Sequence, residues 1–243
     1  MSSQVLTLKK NEEEDYNFEE AIKTLRTNLQ FCGKSIRVVM FTSSLPDAGK
    51  SEISFCLARS LAQIGKKTLL VDADIRKSEL ITRCEAEHDI CGLSEYLSGQ
   101  RTYGDIIYQT SEENMDIILA GPYSPNPAEL LEEDLFEKLF QAVRMSYDYV
   151  IVDTPPMAKV IDGAIAARQC DGAVIVIESG TVSYHLEQRT KEQLEKAGCR
   201  ILGTVLNKVD IRSKGYYGKY GKYGKYGKYG RYDEGYGAER GKK

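Results

Sequence analysis

Residues 36–51 read Ile-Arg-Val-Val-Met-Phe-Thr-Ser-Ser-Leu-Pro-Asp-Ala-Gly-Lys-Ser, and this segment carries the strongest signal for the fold. Its first seven residues form an apolar run that predicts a buried strand, and the pattern that follows predicts a helix over residues 50–64. Residues 44–51 match the phosphate-loop pattern G-x(4)-G-K-[ST], except that Ser44 replaces the first glycine. A loop of this kind between a strand and a helix predicts a nucleotide site.

The chemistry of a phosphate loop gives each of its residues a role. Backbone N–H groups and the positive end of the helix dipole bind phosphate oxygens. Lys50 is expected to meet the β- and γ-phosphates, and the Ser51 hydroxyl to bind Mg²⁺. The predicted nucleotide contacts are Ser44, Asp47, Ala48, Gly49, Lys50, Ser51, Glu52 and, after the last predicted strand, Asn207.

Acidic residues end two further apolar strands. Asp153 closes the run Tyr-Val-Ile-Val-Asp, and the segment Leu-Leu-Val-Asp-Ala-Asp-Ile-Arg places Asp72 and Asp74 one residue apart. Because the carboxyl ends of parallel strands line the ligand crevice of an open sheet, these carboxylates are expected to face the phosphates and Mg²⁺.

The identity of the base is left open by the sequence. Asn207 begins the run Asn-Lys-Val-Asp, which fits the N-K-x-D guanine signature, and an Asn at this position can read either purine. Asp210 therefore raises the possibility of GTP. Against that reading, the segment after Asp153 lacks the glycine of a switch-type D-x-x-G.

The rest of the body alternates apolar strands with amphipathic helices, which predicts an α/β fold with a mostly parallel sheet and helices on both faces. Helices are predicted over residues 18–31, 92–97, 129–145, 163–169 and 184–197, and strands over residues 67–73, 115–119, 148–153, 172–177 and 201–206. We expect an N-terminal segment with a helix over residues 1–35, a nucleotide-binding domain over residues 36–212 and a tail over residues 213–243.

The composition of the 243 residues favours a cytosolic protein. No apolar run approaches the length of a membrane span, which needs about 18 residues. The first residues do not have the pattern of a signal peptide, so none is expected. The six cysteines form no CxxC pair, so reduced thiols are expected in place of disulfides or a metal site.

The C-terminal tail repeats tyrosine, glycine and lysine. Eight of the sixteen tyrosines lie in residues 216–243, and glycine at nearly every third position predicts disorder. An accessible phenol that recurs in this way is typical of a substrate for tyrosine modification. The alternative is a low-complexity segment that stacks on nucleic acid or coats an anionic surface.

Charge is divided unevenly between the tail and the body. Residues 216–243 carry eight Lys/Arg against three Asp/Glu, and the remainder carries 25 against 33, which gives a +5 tail on a −8 body. This division favours docking of the tail to the body or to another anionic surface over DNA binding by the domain, so no nucleic-acid partner is expected.

Taken together, the motifs resemble the bacterial tyrosine kinases, the autokinases of capsule and exopolysaccharide synthesis, in their Gram-positive form. The likeness rests on the phosphate loop, on residues 69–76 as the family's additional Walker A′ motif, on Ile-Val-Asp-Thr-Pro-Pro, and on the terminal tyrosine cluster. It also includes residues 20–29 and 126–131, so it covers nearly the whole chain. The combination is far more specific than any single motif.

The resemblance implies a P-loop fold of the SIMIBI type and transfer of the γ-phosphoryl of ATP, with Mg²⁺, to tail tyrosines of another subunit. Lys50, Asp72 and Asp74 would be the catalytic residues, with either aspartate acting on the phenol, and Ser51, Asp72 and Asp153 would surround the metal. The implied phosphoacceptors are Tyr216, Tyr217, Tyr220, Tyr223, Tyr226, Tyr229, Tyr232 and Tyr236.

The resemblance further implies a homo-oligomeric ring, a membrane-bound activator or polysaccharide co-polymerase that recruits the chain to the inner face of the plasma membrane, and a cognate tyrosine phosphatase. The family's E-x-x-R-x-x-R ring helix corresponds to Glu20, Lys23 and Arg26, with Lys in place of the middle Arg, and Lys cannot make a bidentate contact. Asp47 stands where the family often has Gly. A GTPase or ATPase switch and a non-catalytic adaptor are the rival interpretations.

Overall fold

A computed structural model describes residues 5–9, 16–85 and 90–209. The strands are β1 Val5–Leu8, β2 Val38–Ser43, β3 Thr68–Asp72, β4 Cys84–Glu85, β5 Tyr108–Thr110, β6 Met115–Ile118, β7 Tyr149–Asp153, β8 Gly172–Glu178 and β9 Ile201–Asn207. The helices are α1 Tyr16–Phe31, α2 Lys50–Gln63, α3 Leu93–Leu97, α4 Pro127–Glu132, α5 Asp134–Ser146, α6 Asp162–Ala167 and α7 Tyr184–Lys196. The predicted tail lies outside the described residues.

The described strands form one sheet in the order β4-β1-β5-β6-β3-β7-β2-β8-β9. The strands β6, β3, β7, β2, β8 and β9 are all parallel to one another. Antiparallel pairing occurs where β5 meets β6 and where β1 meets β4, at one side of the sheet. The prediction of a mostly parallel α/β sheet is therefore confirmed.

Alternate residues of the central strands enter two separate cores. On β2, Val39 and Phe41 pack with α1 and α2, whereas Val38 and Met40 pack with the α5, α6 and α7 side. Both faces of the sheet are thus covered by helices, as predicted, and this explains why β2 reads as a continuous apolar run. Loss of one fully buried side chain, for example Leu57→Ala on α2, is expected to cost about 2–5 kcal/mol.

Two sequence-based assignments need correction. The single helix predicted over residues 129–145 is wrong, because α4 and α5 are separated at Glu133, whose ψ of 145° is extended. The break lets Leu131 of α4 and Phe136 of α5 both enter the core. The strands β1, β4 and β5 were not predicted at all, since each is only two to four residues long.

The N-terminal segment packs on the same core as the nucleotide-binding region. Leu6 of β1 and Ile22 and Leu29 of α1 belong to the α2 side of the core, and β1 joins the sheet beside β5. No helix among the described residues is long and apolar enough to cross a membrane.

Candidate nucleotide and phosphoryl-transfer site

The phosphate loop leaves β2 in an unusual backbone conformation. Asp47 and Gly49 have φ angles of 62° and 86°, in the left-handed region. A Cβ atom built on Gly49 would lie 2.3 Å from Nδ2 of Asn207, so any other residue would have to displace Asn207 and adopt a strained φ. Asp tolerates the left-handed region better than most residues, which explains how Asp47 can stand where the family often has Gly.

Two residues from the end of β9 hold the loop in place. Nδ2 of Asn207 donates a hydrogen bond to the carbonyl oxygen of Ala48 at 2.9 Å. Nζ of Lys208 donates to the carbonyl oxygen of Asp47 and lies 3.3 Å from Oε1 of Glu178. The contact of Asn207 with Ala48 leaves its predicted contact with the base untested, and Lys208 carried no recognised signal for a role at the loop.

Ser44, at the position of the first glycine, is buried under the loop. Its hydroxyl lies 2.7 Å from Oγ1 of Thr190 on α7, and neither side chain is accessible to solvent. The serine therefore ties the start of the loop to a helix far away in the chain. Sequence reasoning placed Ser44 at the nucleotide but gave no reason to expect Thr190 beside it.

The three predicted carboxylates meet at one edge of the sheet. Asp72 ends β3 and Asp153 ends β7, and the two are direct neighbours in the parallel register. Asp72 is 0% and Asp153 1% exposed. Asp74 follows two residues later, and its Oδ2 lies 3.8 Å from Nζ of Lys50. The structure thus brings together Lys50, Asp72, Asp74 and Asp153, as the sequence predicted.

The environment of these acids shifts their pKa values upward. Burial raises the pKa of Asp72 well above its ordinary value, and the nearby Asp153 raises it further, whereas a hydrogen bond from Ser78 lowers it. Burial raises the pKa of Asp153 to about 6, although Lys50 and the Ser51 hydroxyl act in the opposite direction. Burial also raises the pKa of Asp74. Lys50, whose Nζ lies 3.8 Å from Asp74, offsets only part of the effect of burying these three carboxylates close to one another.

The donor set fits Mg²⁺. Oδ1 of Asp153 is buried and has no hydrogen-bond partner among the described residues, so an acceptor oxygen is available to a cation. Ser51 begins α2 next to Lys50, whose Nζ lies 3.3 Å from the Ser51 hydroxyl. Two carboxylates and one hydroxyl, completed by water and phosphate oxygens, are the hard oxygen ligands that Mg²⁺ prefers. Ser51, Asp72 and Asp153 are therefore the residues that would hold the metal.

Ser78 and Arg76 add contacts that sequence reasoning missed. The Ser78 hydroxyl donates a short hydrogen bond to Oδ2 of Asp72, while the backbone N–H of Asp74 donates to Oδ1 of Asp72 at 3.1 Å. Arg76 makes a bidentate ion pair with the buried Asp162 at the start of α6, at 2.6 and 3.0 Å. The first contact orients Asp72, and the second fixes the loop after β3 against α6.

Glu52 is turned to a neighbour in its own chain. Its carboxylate pairs with Arg83 and accepts a weak hydrogen bond from the Cys56 thiol at 3.3 Å. A nucleotide contact from this side chain therefore stays a prediction.

The predicted ring residues lie on α1 and make contacts within the chain. Nζ of Lys23 pairs with Glu20 at 2.7 Å, and both side chains are about half exposed. Arg26 is directed to α2, where its Nη1 donates to both the carbonyl oxygen and the hydroxyl of Ser60 at 2.9 Å. The eight predicted phosphoacceptor tyrosines fall outside the described residues.

A phosphate loop at the centre of a parallel sheet, with acids ending the adjacent strand and the next one, defines a nucleotide-binding protein of the P-loop class. In agreement, the family model described as an AAA domain matches residues 36–195, which include the loop and Asp72, Asp74 and Asp153.

Two relatives define the family more closely. The chain is 44% identical over 202 residues to tyrosine-protein kinase CpsD of Streptococcus agalactiae, an alignment that covers 82% of this chain and 88% of that protein. It is 37% identical over 204 residues to tyrosine-protein kinase YwqD of Bacillus subtilis, with 82% and 86% covered. The chain therefore belongs to the bacterial tyrosine kinases, and its activity is that of a tyrosine-protein kinase.

Solved structures agree with this assignment. The kinase domain of the Escherichia coli tyrosine kinase ETK superposes with a TM-score of 0.75 at 31% identity, covering 87% of this chain and 92% of that one. The chimerical protein CapA2B2 gives a TM-score of 0.74 at 33% identity, with 85% and 94% covered. The Pyrococcus horikoshii septum site-determining protein MinD, in complex with Mg-ADP, shares the fold at 23% identity and a TM-score of 0.59, with 70% and 69% covered.

Proposed function

We propose that the chain is an ATP-dependent autokinase that phosphorylates the tyrosine cluster of its own C-terminal tail, between subunits, in the control of capsular or exopolysaccharide synthesis. The observation that carries the proposal is the meeting of Lys50 and Asp74, 3.8 Å apart, beside the buried pair Asp72 and Asp153. Membership of the tyrosine kinase family supports tyrosine as the acceptor, and the recurring phenols of the tail support the tail as its location.

The proposed reaction forms a bond between the tyrosine oxygen and the γ-phosphorus of ATP while the bond from that phosphorus to the β–γ bridging oxygen breaks. ADP leaves, and the phenolic proton passes to a carboxylate. Lys50 stabilises the charge on the phosphate oxygens, and backbone N–H groups of residues 47–51 hold the phosphates in place. Bound Mg²⁺ supplies further neutralisation of charge on the phosphates.

Asp74 is the better placed of the two Walker A′ acids to receive the phenolic proton. Asp72 is completely buried, and both of its oxygens accept hydrogen bonds, from Ser78 and from the backbone of Asp74. Asp74, in contrast, lines a cleft of about 380 Å³ that also contains Lys50. We therefore assign Asp74 to the acceptor and Asp72, with Asp153 and Ser51, to the metal.

Transfer between subunits is proposed because residues 216–243 span up to about 90 Å when extended and can reach a neighbouring molecule. A ring built through Glu20, Lys23 and Arg26 would place such a neighbour close by. We further propose a cytoplasmic kinase that a membrane-bound activator brings to the inner face of the plasma membrane, and a tyrosine phosphatase that resets the tail.

A mixing experiment tests both the reaction and its direction. One variant carries Lys50→Met and all tail tyrosines, so it offers acceptors without catalysis. The other carries Phe at the eight tail tyrosines, so it offers catalysis without those acceptors. With γ-labelled ATP and Mg²⁺, we expect label on the Lys50→Met chain only in the mixture.

The outcomes separate the alternatives. Label on neither chain in the mixture, when the wild type labels itself, would contradict transfer between subunits. Release of phosphate from ATP or GTP by the wild type without any tyrosine labelling would favour the switch, and no turnover of nucleotide would favour the adaptor.

A further inference from the structure

The cleft beside the phosphoryl-transfer site has a wall suited to an aromatic ring. Lys50 and Asp74 line it with nearly buried side chains, and Pro155, Pro156 and Val160 are also among its lining residues. Proline rings and a valine offer apolar contact to a phenol, while the carboxylate of Asp74 can accept its proton. The inference below rests on the proposed function, because it takes this cleft as the place where the acceptor tyrosine enters.

Two unpaired charges of opposite sign stand at the rim of this cleft. Lys159 is exposed on the segment between β7 and α6, and none of the described residues forms an ion pair with it. The side chain of Asp47, on the phosphate loop, is likewise exposed and unpaired within the described part of the chain.

The other charges at the rim are compensated. Arg76 is bound by Asp162, and Nζ of Lys77 lies 3.8 Å from Glu79. Lys208, which contacts the carbonyl of Asp47, is paired with Glu178. Among the charged residues that line the cleft, Lys159 is therefore the uncompensated positive charge and Asp47 the uncompensated negative charge that a bound peptide would meet.

The tail tyrosines differ in how well they match this pair of charges. Tyr232 stands between Arg231 and the acids Asp233 and Glu234, so it is basic before the phenol and acidic after it. The repeat tyrosines at 217, 220, 223, 226 and 229 have Gly and then Lys or Arg after the phenol, which Lys159 would repel. Tyr236 has no acid directly beside it: Asp233 and Glu234 lie three and two residues before it, and Glu239, which Arg240 follows, lies three residues after it.

The spacing of the repeat supplies a way for one modification to promote the next. The tyrosines from 217 to 232 recur at every third residue. A phosphotyrosine carries about −1.5 to −2 charges at neutral pH. Once Tyr232 is phosphorylated, Tyr229 has a strong negative charge three residues after it. Phosphorylation of Tyr229 then places the same charge three residues after Tyr226.

We infer that Lys159 makes the cleft select a tyrosine that has negative charge close beside it in the sequence, so that Tyr232 is phosphorylated first and each phosphotyrosine primes the tyrosine three residues before it. The tail is then modified in order from position 232 towards position 217. We expect a partly exposed ion pair with Lys159 to raise the phosphorylation rate of a tyrosine with nearby negative charge about threefold over one without it, at low salt. Added salt should make the order of phosphorylation less distinct.

Time-resolved mass spectrometry of the full-length protein after addition of ATP and Mg²⁺ tests the order. We expect phosphate at Tyr232 first, then at Tyr229 and Tyr226, with chains modified only at 217 or 220 rare at early times. Simultaneous appearance at all positions, or an order that begins at Tyr217, would overturn the inference and leave the kinase function standing. Complete absence of tail phosphorylation would overturn the function on which the inference rests.

Charge-reversal variants test the two partners. Asp233→Lys together with Glu234→Lys removes the acids after Tyr232, and we expect its lead to disappear. With the wild-type tail, Lys159→Glu should abolish the early phosphorylation of Tyr232 relative to the other tail tyrosines. Combined with Asp233→Lys and Glu234→Lys, it should restore that early phosphorylation. Lys138→Glu, on α5 and outside the cleft, makes the same change in net charge and should keep the wild-type order. If Lys159→Glu and Lys138→Glu behave alike, Lys159 is not the selecting residue and the inference fails.

Discussion

Asp72 and Asp153 are paired positions on two parallel strands, and both carboxyl groups are withdrawn from solvent at the phosphate end of the sheet. Two acids placed in this way disfavour each other's ionised form, because burial and mutual repulsion both oppose charge. The arrangement is unfavourable at neutral pH without a cation, and the proposed Mg²⁺ would relieve it. The two acids therefore lower the stability of the metal-free protein.

This cost predicts a stabilising mutation. The pKa of Asp153 is raised from an ordinary 3.8 to about 6. Between those values the folded state binds more protons than the unfolded state, so the free energy of unfolding falls as pH rises through this window. A shift of this size corresponds to up to about 3 kcal/mol. Without metal, Asp153→Asn should raise the free energy of unfolding at about pH 7.5 by about 1–3 kcal/mol and change it little at about pH 4.

Denaturant unfolding at the two pH values, with EDTA, measures this effect. With Mg²⁺ and ADP the wild type should have the higher free energy of unfolding, because it gains stability from binding and Asp153→Asn gains much less. A loss of stability in the variant at neutral pH without metal would show that the Asp153 carboxylate is compensated by a partner in the folded protein.

Lys50→Met should abolish tyrosine phosphorylation and leave the fold intact. Nζ of Lys50 is the phosphate-loop cation beside Asp74, and methionine retains the length of the side chain without the charge. We expect a loss of at least about 100-fold in rate, of the order reported for removal of one stabilising donor. Circular dichroism checks the fold, and Lys138→Met, on the exposed part of α5, is the matched control. Wild-type labelling by Lys50→Met would contradict the assigned site.

The parts of this site that could be predicted are those that local sequence determines. The loop around Gly49 and the acids Asp72, Asp74 and Asp153 follow directly from strand ends and turn chemistry. Ser78 and Thr190 could not be found in this way, because a single hydroxyl has no sequence pattern of its own. Their partners are fixed by tertiary packing, across 146 residues in the case of Thr190 and Ser44.

The fold shows the same division. Strands β2, β3, β7 and β8 are buried on both faces and read as apolar runs, so their positions were predicted within about two residues. Strands β1, β4 and β5 lie at one side of the sheet and are too short to carry a periodic signal. The break at Glu133 was missed because its neighbours are all compatible with a helix, and only the burial of Leu131 and Phe136 requires the turn.

The nucleotide preference should be for ATP over GTP despite the sequence Asn-Lys-Val-Asp. The amide of Asn207 donates to the carbonyl of Ala48, so it supports the loop, and Asp153 is not followed by a switch glycine. Competition titration against a fluorescent nucleotide measures the ratio of affinities. A GTP preference of about tenfold, or 1.4 kcal/mol, would favour the GTPase interpretation.

On α1, Arg26 is expected to stabilise the folded chain, whereas Lys23 is expected to act only in assembly. Arg26→Ala removes two hydrogen bonds to Ser60 on α2, and we expect a loss of about 1–2 kcal/mol in the free energy of unfolding. Lys23 forms an exposed pair with Glu20, so Lys23→Ala should leave the unfolding of the monomer almost unchanged. A fall in the mass measured by light scattering for Lys23→Ala would then report on the oligomer itself. Equal unfolding of the two variants would contradict this separation.

Phosphorylation of the tail should loosen the proposed oligomer. The unmodified tail carries +5 and the body −8, so tail and neighbouring body attract each other. Each phosphotyrosine adds about −1.5 to −2 charges, so about three or four modifications carry the tail past neutrality and convert attraction into repulsion. Light scattering at equal concentration and salt should give a lower mass for phosphorylated wild type than for the form with Phe at the eight tail positions. Equal masses would contradict the switch and leave the kinase assignment unaffected, whereas a difference that disappears at high salt would confirm that it is electrostatic.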